Sequence, residues 1–451
     1  MWGHKSPLQL LSPEATLDTD AIGRNSGNLI FSQAAFRTLL TADTDITVSN
    51  FADLYDQADR INQDFDAVVL PFANVFRPRF QPVLERVTEL VERLTIPVTV
   101  LGVGAQSDLI SGFERQARIR VPVTRFVRAI LERSPSIGVR GEFSQAYLNH
   151  LGYKDVDVIG CPSMFTHGPN LHIRTSSASL NTESAIAINA TRAAQGGMAG
   201  VVMHHHARYP NLVYVAQGIA DLNLMVWGGS QVVGGETGVP QHLSHPLYRE
   251  NKVRFFLDAS TWIRYLGHYD FSFGTRLHGN VAALLAGTPA HVIVHDSRTR
   301  ELAEYFEIPH TRSTRITSAT DAAQLYEESN YAGLVDGHPA RFAVYTAFLD
   351  RHGLEHIHLQ PRAPSVFDAR LATLALPPPV EVFTSAMPIE RARRVRRNLL
   401  SDERKTATLT GRLGSIQDRL RALEGASPTR TQRRAIRAVR RRVRSLQARR
   451  A

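Results

Sequence analysis

Residues Asp270–His295 read DFSFGTRLHGNVAALLAGTPAHVIVH, and the way this stretch folds sets the class of the whole chain. An apolar run through Tyr269, Phe271 and Phe273 ends at Gly274. Thr275, Arg276, Leu277 and His278 follow, then Gly279-Asn280 and the helix-forming VAALLA. Gly287-Thr288-Pro289 stops that helix, and His291–Val294 reads as the next strand. The order strand, polar turn, helix, strand is one βαβ unit, with its turn at the carboxyl end of a strand, where open α/β sheets bind ligands. A helix amino end presents unpaired N–H groups and partial positive charge, so it suits an anion. Arg276 adds a guanidinium fork matched to phosphate or carboxylate, and His278 adds a titratable imidazole.

The same alternation extends outward from this unit. Towards the amino end, Phe65–Leu70 reads as a buried strand, followed by a loop with Asn74, Arg77 and Arg79. QPVLERVTELVERL is an amphipathic helix, and PVTVLGVGAQSD is a strand ending in the turn Gly102-Val103-Gly104. Glycines there let backbone approach a ligand. They do not form a dinucleotide fingerprint, because no third glycine or downstream acid falls in register. SIGVRGEFSQAYLNHLGY is strand, turn and helix, with Arg140 and Glu142 at the strand end, and DVDVIGCPSMF is a further strand. Residues 167–184 are polar, and Ala185–Asn189 opens a second sheet, with Arg192 just beyond it. Repeated strand–helix alternation predicts parallel sheets covered on both faces.

GTRLHGNVAALLAGTPA resembles the signature of the polysaccharide pyruvyltransferase family, an arginine-leucine-histidine turn opening a small-residue helix that ends in Gly-x-Pro. The likeness spans about residues 20 to 330 as an architecture and is dense only at this turn. GRNSGN resembles the family's early Asn-x-Gly-Asp turn, with Asn25 and Gly27 retained and Asn28 in the acid's place. Cys161-Pro162 stands where family members often have Asp-Pro. The resemblance implies two Rossmann-like α/β domains facing a cleft, similar to glycosyltransferase-B architecture. It implies an enzyme that moves pyruvate from phosphoenolpyruvate onto two hydroxyls of a saccharide acceptor, lipid-linked or not, as a ketal. His278 is the expected acid and base. Arg276, Leu277, Arg192 and Arg140 are the expected phosphoenolpyruvate contacts, and no metal or cofactor is required. Arg140 has a structural alternative, in a pair with Glu142 or backbone. Two rival readings are a nucleotide-sugar glycosyltransferase of similar shape and a non-catalytic scaffold with a degenerate site.

Expected boundaries are 1–170 for the first domain, 171–184 for a linker, 185–335 for the second domain, 336–387 for helices packing back and a Pro-rich linker, and 388–451 for a basic tail. The formal net charge of +10 belongs to that tail: residues 390–451 hold 20 Lys and Arg against 5 Asp and Glu, which leaves the body mildly acidic. Leu409, Leu413, Ile416, Leu420 and Leu423, then Ile436, Val439, Val443 and Leu446, repeat at coiled-coil spacing. Self-association or an anionic membrane surface would occupy such a tail. Nucleic acid is disfavoured by the lack of interleaved aromatics.

Other classes fall away. No apolar run approaches the roughly 18 residues of a membrane span, and the amino terminus has no basic region followed by an apolar stretch, so no secretion signal is expected. One cysteine, Cys161, excludes an internal disulfide and reads as a buried small hydrophobe. A cytoplasmic enzyme is expected, free or peripheral on the inner face of a membrane. His204-His205-His206 invites a metal, yet consecutive side chains diverge on any regular element, so one ion does not gather them. Tyr209 and Trp227 are candidates for stacking on a sugar.

Overall fold

The computed structural model describes residues 1–50, 53–107, 112–174, 179–191, 197–228, 238–359, 361, 364–383, 388–391, 393–397, 403 and 407. Residues Met1–Ser385 form one compact unit and Ala386–Ala451 a second.

Short β-branched runs build the amino-terminal strands β1 (Val68–Pro71), β2 (Val98–Leu101), β3 (Ile137–Val139) and β4 (Val156–Val158). β1 pairs with β2 and β3 with β4, all parallel, and a parallel bridge between Val103 and Val139 joins the two pairs. The helices of this half are α1 (Pro13–Thr19), α2 (Gly27–Leu39), α3 (Ala58–Asp64), α4 (Gln81–Val91), α5 (Arg120–Leu131) and α6 (Glu142–His150). Leu84, Val87, Leu90 and Val91 on α4 share one buried core with Val123, Phe126, Val127 and Ile130 on α5. Helical spacing of those residues gives each helix one apolar face.

The second half contains one six-stranded parallel sheet: β5 (Ile186–Asn189), β6 (Val213–Val215), β7 (Val253–Arg254), β8 (Phe271–Gly274), β9 (Ala290–Val294) and β10 (His310–Arg312), in the order β10-β9-β8-β5-β6-β7. Its helices are α7 (Met198–Arg208), α8 (Ile219–Trp227), α9 (Pro246–Arg249), α10 (Ala259–Leu266), α11 (Leu277–Leu285), α12 (Ser297–Phe306) and α13 (Ala322–Glu327). The chain winds outward from β5 through β6 to β7, then returns to β8 on the other flank of β5. Direction therefore reverses between β5 and β8, the switch point at which doubly wound sheets open a crevice. The expected parallel α/β architecture is present, and the turn after β8 lies at that reversal.

Helix α14 (Ala332–Arg351) begins ahead of the boundary expected at residue 336 and accommodates Pro339 within it. It runs back to the first half: Tyr345 stacks on Phe165 with centroids 5.0 Å apart. Helix α15 (Val366–Ala372) follows the same course, with Phe367 edge-on to Phe36 and Asp368 gripped by the Arg37 fork at 2.6 and 2.8 Å. Residues 167–174 of the polar stretch are pinned down, since Leu171 and Ile173 are buried and Arg174 donates to Thr288 and to the Tyr269 and Gly287 carbonyls. In the second unit residues 388–391 and 393–397 are helical, and Arg394 pairs with Glu390 one turn away. The coiled-coil spacing from Leu409 to Leu446 lies outside the described residues. Among the described residues no helix is long and apolar enough to cross a membrane.

Buried imidazoles govern how the fold responds to acid. Burial pushes His205, His291 and His358 down to about 4, and His278 to about 3. An unfolded histidine titrates near 6.5. Between about pH 4 and 6.5 the unfolded chain therefore binds protons that the folded chain refuses, and stability falls as pH is lowered. Glu301, raised by burial to about 7, opposes this trend between roughly pH 4.5 and 7, but it is one group against four. Urea unfolding should accordingly show a lower midpoint at pH 5 than at pH 7; an equal or higher midpoint at pH 5 would contradict the account.

Candidate functional site

The turn is built by carboxamides. At the end of β5 the Asn189 Oδ1 accepts the Arg276 N–H at 2.8 Å, and its Nδ2 donates to Asn280 Oδ1 at 3.0 Å. Asn280 Nδ2 in turn donates to the Gly274 carbonyl at 3.0 Å. Gly274 has φ 146°, and a Cβ there would fall 1.8 Å from the Asn189 carbonyl oxygen, so only glycine lets the two strand ends approach. Thr275 Oγ1 accepts the Thr191 N–H at 2.7 Å and holds the neighbouring loop. Arg276 is the N-cap of α11, and its own N–H is consumed by Asn189. The Leu277 and His278 N–H groups that follow meet no acceptor among the described residues.

Each expected contact can now be placed. Arg276 is half-buried, its Nε 3.4 Å from the Ala190 carbonyl and its Nη2 beside Gly218. The Leu277 side chain is in the core, 6% exposed, so only its backbone can meet a ligand. The His278 Nε2 lies 3.9 Å from Cys161 Sγ, and its ring packs on Gly27, where a Cβ would stand 3.0 Å from Nδ1. Arg192 lies outside the described residues. Arg140 is 1% exposed, and Gly104 makes room for it: a Cβ there would be 2.4 Å from the Arg140 Nε. Gly102 and Gly104 thus admit protein groups, where a ligand's approach was expected.

Arg140 does not pair with Glu142, which is exposed. It makes two long contacts to the Gly102 carbonyl, at 3.3 and 3.4 Å, and has no carboxylate within 4.0 Å among the described residues. Glu301 is close enough to act on it electrostatically, but its oxygens are taken by the Ser144 N–H and Oγ at 2.9 Å. Two further guanidiniums join the cluster. Arg77 and Arg298 each have a buried Nε without a partner, and Arg298 reaches Asp296 at 3.4 Å. Burial disfavours the charge on Arg77, and Arg298, Arg79 and Arg140 add to that by repulsion. Burial also works against the Asp296 carboxylate, yet Arg298, His295 and Thr299 together hold it below the usual range. Burial first, then Arg140 and Arg298, bring His278 to about 3, so its imidazole is neutral in the unliganded protein.

Groups from both halves are locked together here. Ser107 N–H donates to Ser297 Oγ at 2.8 Å while Ser297 N–H donates to the Ser107 carbonyl at 3.0 Å. Asp296 accepts from Gln106 at 2.9 Å. The reading of residue types missed His295, Asp296, Gln106 and Asn189, because their importance comes from sheet ends that meet only in the folded chain. Cys161 is buried as read, with burial raising its thiol, but its contact with His278 was not foreseen. Asn28 closes its turn by donating to the Ile22 and Gly23 carbonyls at 2.9 and 3.2 Å, a job an acid could not do. Tyr209 is a core residue donating to Asp321 at 2.6 Å, not a sugar platform, and Trp227 is packed against the core. His204 faces Asp321, His206 faces Glu250, and His205 accepts the Ala322 N–H, so the three rings serve three partners.

A family model described as polysaccharide pyruvyl transferase matches residues 25–297, from the Asn25 turn to the first residue of α12. A search of curated proteins finds no match. Among solved structures the chain is similar to the S. aureus MnaA–UDP co-structure, with 11% identity over 81% of this chain and 97% of that one and a TM-score of 0.40. It is similar to UDP-GlcNAc 2-epimerase from Neisseria meningitidis bound to UDP-GlcNAc, with 13% identity over 77% and 79% and a TM-score of 0.32. The glycosyltransferase SnogD from Streptomyces nogalater matches with 13% identity over 74% and 80% and a TM-score of 0.28.

A buried guanidinium without a counter-ion costs stability, which an apolar side chain of similar length does not. Arg140→Met should therefore leave the unliganded protein at least as stable as wild type in urea. Its affinity for inorganic phosphate should fall at least about tenfold, the loss of one charge-assisted hydrogen bond. Loss of stability without loss of phosphate affinity would make Arg140 a structural residue.

Proposed function

This chain belongs to the polysaccharide pyruvyl transferase family, and we propose that it transfers the enolpyruvyl carbons of phosphoenolpyruvate to two hydroxyls of a saccharide, closing a pyruvate ketal. What carries this reading is the gathering of guanidiniums near His278: Arg140 and Arg298 both act on it, Arg77 adjoins them, and Arg276 lies two residues before it, with Asp296 and the weakly acidic Glu301 as the acids acting on Arg140. Such a concentration of positive charge, with Arg140 fully buried, calls for a compact polyanion. Phosphoenolpyruvate, with a phosphate and a carboxylate on one carbon, meets that demand in three-carbon form.

The chain's own groups divide the chemistry. The free N–H groups of Leu277 and His278 and the Arg276 guanidinium hold the phosphate at the end of α11. A bound polyanion offsets Arg140 and Arg298, so the depressed His278 gains a proton as donor binds. His278 delivers that proton to the C3 methylene, and a sugar hydroxyl adds to C2. The C2–O bond to phosphate then breaks, the leaving phosphate taking the first hydroxyl's proton, and the second hydroxyl attacks C2 while His278, now neutral, takes its proton. Phosphoenolpyruvate is the donor substrate, and this scheme uses no cofactor or metal.

His278→Ala should lower turnover by roughly 10²–10⁴ while donor still binds. Arg276→Ala should weaken donor binding as well. Turnover is read by mass spectrometry of a saccharide incubated with enzyme and phosphoenolpyruvate, and near-full turnover in His278→Ala would remove it from the mechanism. Binding is read by calorimetry with phosphoenolpyruvate against a panel of nucleotide sugars; a preference for the latter would favour glycosyl transfer. Titrations at pH 7 in buffers of different ionisation enthalpy should reveal net proton uptake with phosphoenolpyruvate, reduced in His278→Ala. Binding without uptake would sink the proposed coupling.

A further inference from the structure

Beside the end of α11 lie two buried polar groups that the scheme above leaves idle. Ser26 is fully buried and its Oγ meets no hydrogen-bond partner among the described residues; Gln217, 2% exposed, leaves its Nε2 in the same state. Their backbones are joined, the Ser26 N–H donating to the Gln217 carbonyl at 2.9 Å. Both segments flank the first turn of the helix. A Cβ on Gly279 would stand 2.6 Å from Gln217 Nε2, one on Gly27 3.0 Å from the His278 ring, and one on Gly218 3.7 Å from Arg276 Nη2. Orphaned donors inside a protein are costly unless something accepts from them. Here they adjoin a helix end whose first free N–H groups are also unanswered.

We infer that Gln217 and Ser26 form a carboxylate subsite, which reads the acid group of the donor while α11 and Arg276 hold its phosphate. The inference rests on the donor proposed above. Both anionic groups of that donor are attached to C2, so their binding elements must be neighbours, as Gln217-Gly218 and Arg276 are. The division of labour follows from charge. A dianionic phosphate needs cations and a helix end, whereas a carboxylate is satisfied by an amide N–H and a hydroxyl. Neutral donors also hold it without adding to the repulsion that Arg140 and Arg298 already exert on His278. Specificity results, because a phosphate ester without a carboxylate would leave both donors unpaired.

Calorimetry on the full chain with three ligands tests the subsite: phosphoenolpyruvate, phosphoglycolate (phosphate and carboxylate) and ethyl phosphate (phosphate alone). Wild type should prefer the first two over ethyl phosphate. Gln217→Leu should cost roughly ten- to a hundredfold in affinity for the first two and leave ethyl phosphate within about twofold. Ser26→Ala should act in the same direction, and it decides the matter if Gln217→Leu does not fold. Equal losses for all three ligands, or an undiminished preference in a folded variant, overturn the subsite. A wild type that binds phosphoenolpyruvate no better than ethyl phosphate overturns the subsite and leaves the donor standing. Failure to bind phosphoenolpyruvate at all overturns both.

Discussion

The Asn189 carboxamide is the tie on which the site depends. It stands where β5 ends, and it spends one end on the Arg276 N–H and the other on Asn280, one turn into α11. That double engagement sets the helix start against the sheet reversal and leaves the next two N–H groups without an acceptor among the described residues. Gly274 is the complementary constraint, since any side chain there would strike the Asn189 carbonyl. Backbone closeness and polar satisfaction are thus purchased by one glycine and two asparagines, and the anion-binding character of the helix end follows from what they do not satisfy.

Around this tie the protein gathers cations, of which Arg140 has no carboxylate within 4.0 Å among the described residues. Arg140 is buried with only long carbonyl contacts, Arg77 and Arg298 have unpartnered nitrogens, and the nearest acids are taken up elsewhere: Glu301 at the start of α6, Asp296 at the start of α12. The common outcome for a buried charge is pairing. Arg140 departs from that outcome among the described residues, a cost in stability of the kind that functional sites often carry. Burial first, and then repulsion from Arg140 and Arg298, keeps His278 neutral.

The two halves meet through reciprocal hydrogen bonds between Ser107 and Ser297, one of them to the Ser297 hydroxyl, and through Glu301 reaching Ser144. Helices α14 and α15 then return to the first half, where Tyr345 stacks on Phe165 and Asp368 clasps Arg37. These links bring Arg140 and Cys161 from the first half to His278 from the second.

Sequence by itself determined the local elements. Alternating apolar runs, Gly-x-Pro stops and amphipathic spacing made the parallel α/β class legible, and the stretch from Phe271 to Val294 marked the strand–turn–helix unit that carries Arg276 and His278. Those are short-range properties, set by periodicity and by the stereochemistry of glycine and proline. Tertiary structure alone decided which distant groups join that turn. Asn189 is 87 positions from Arg276, and Cys161 is 117 from His278; nothing in their residue types announces those meetings. It likewise turned Gly104 into space for Arg140 and gave Gln217 and Ser26 a place beside the helix end. Burial and long-range contact, which fix charge state and hydrogen-bond satisfaction, exist only once the strands have been ordered in the sheet.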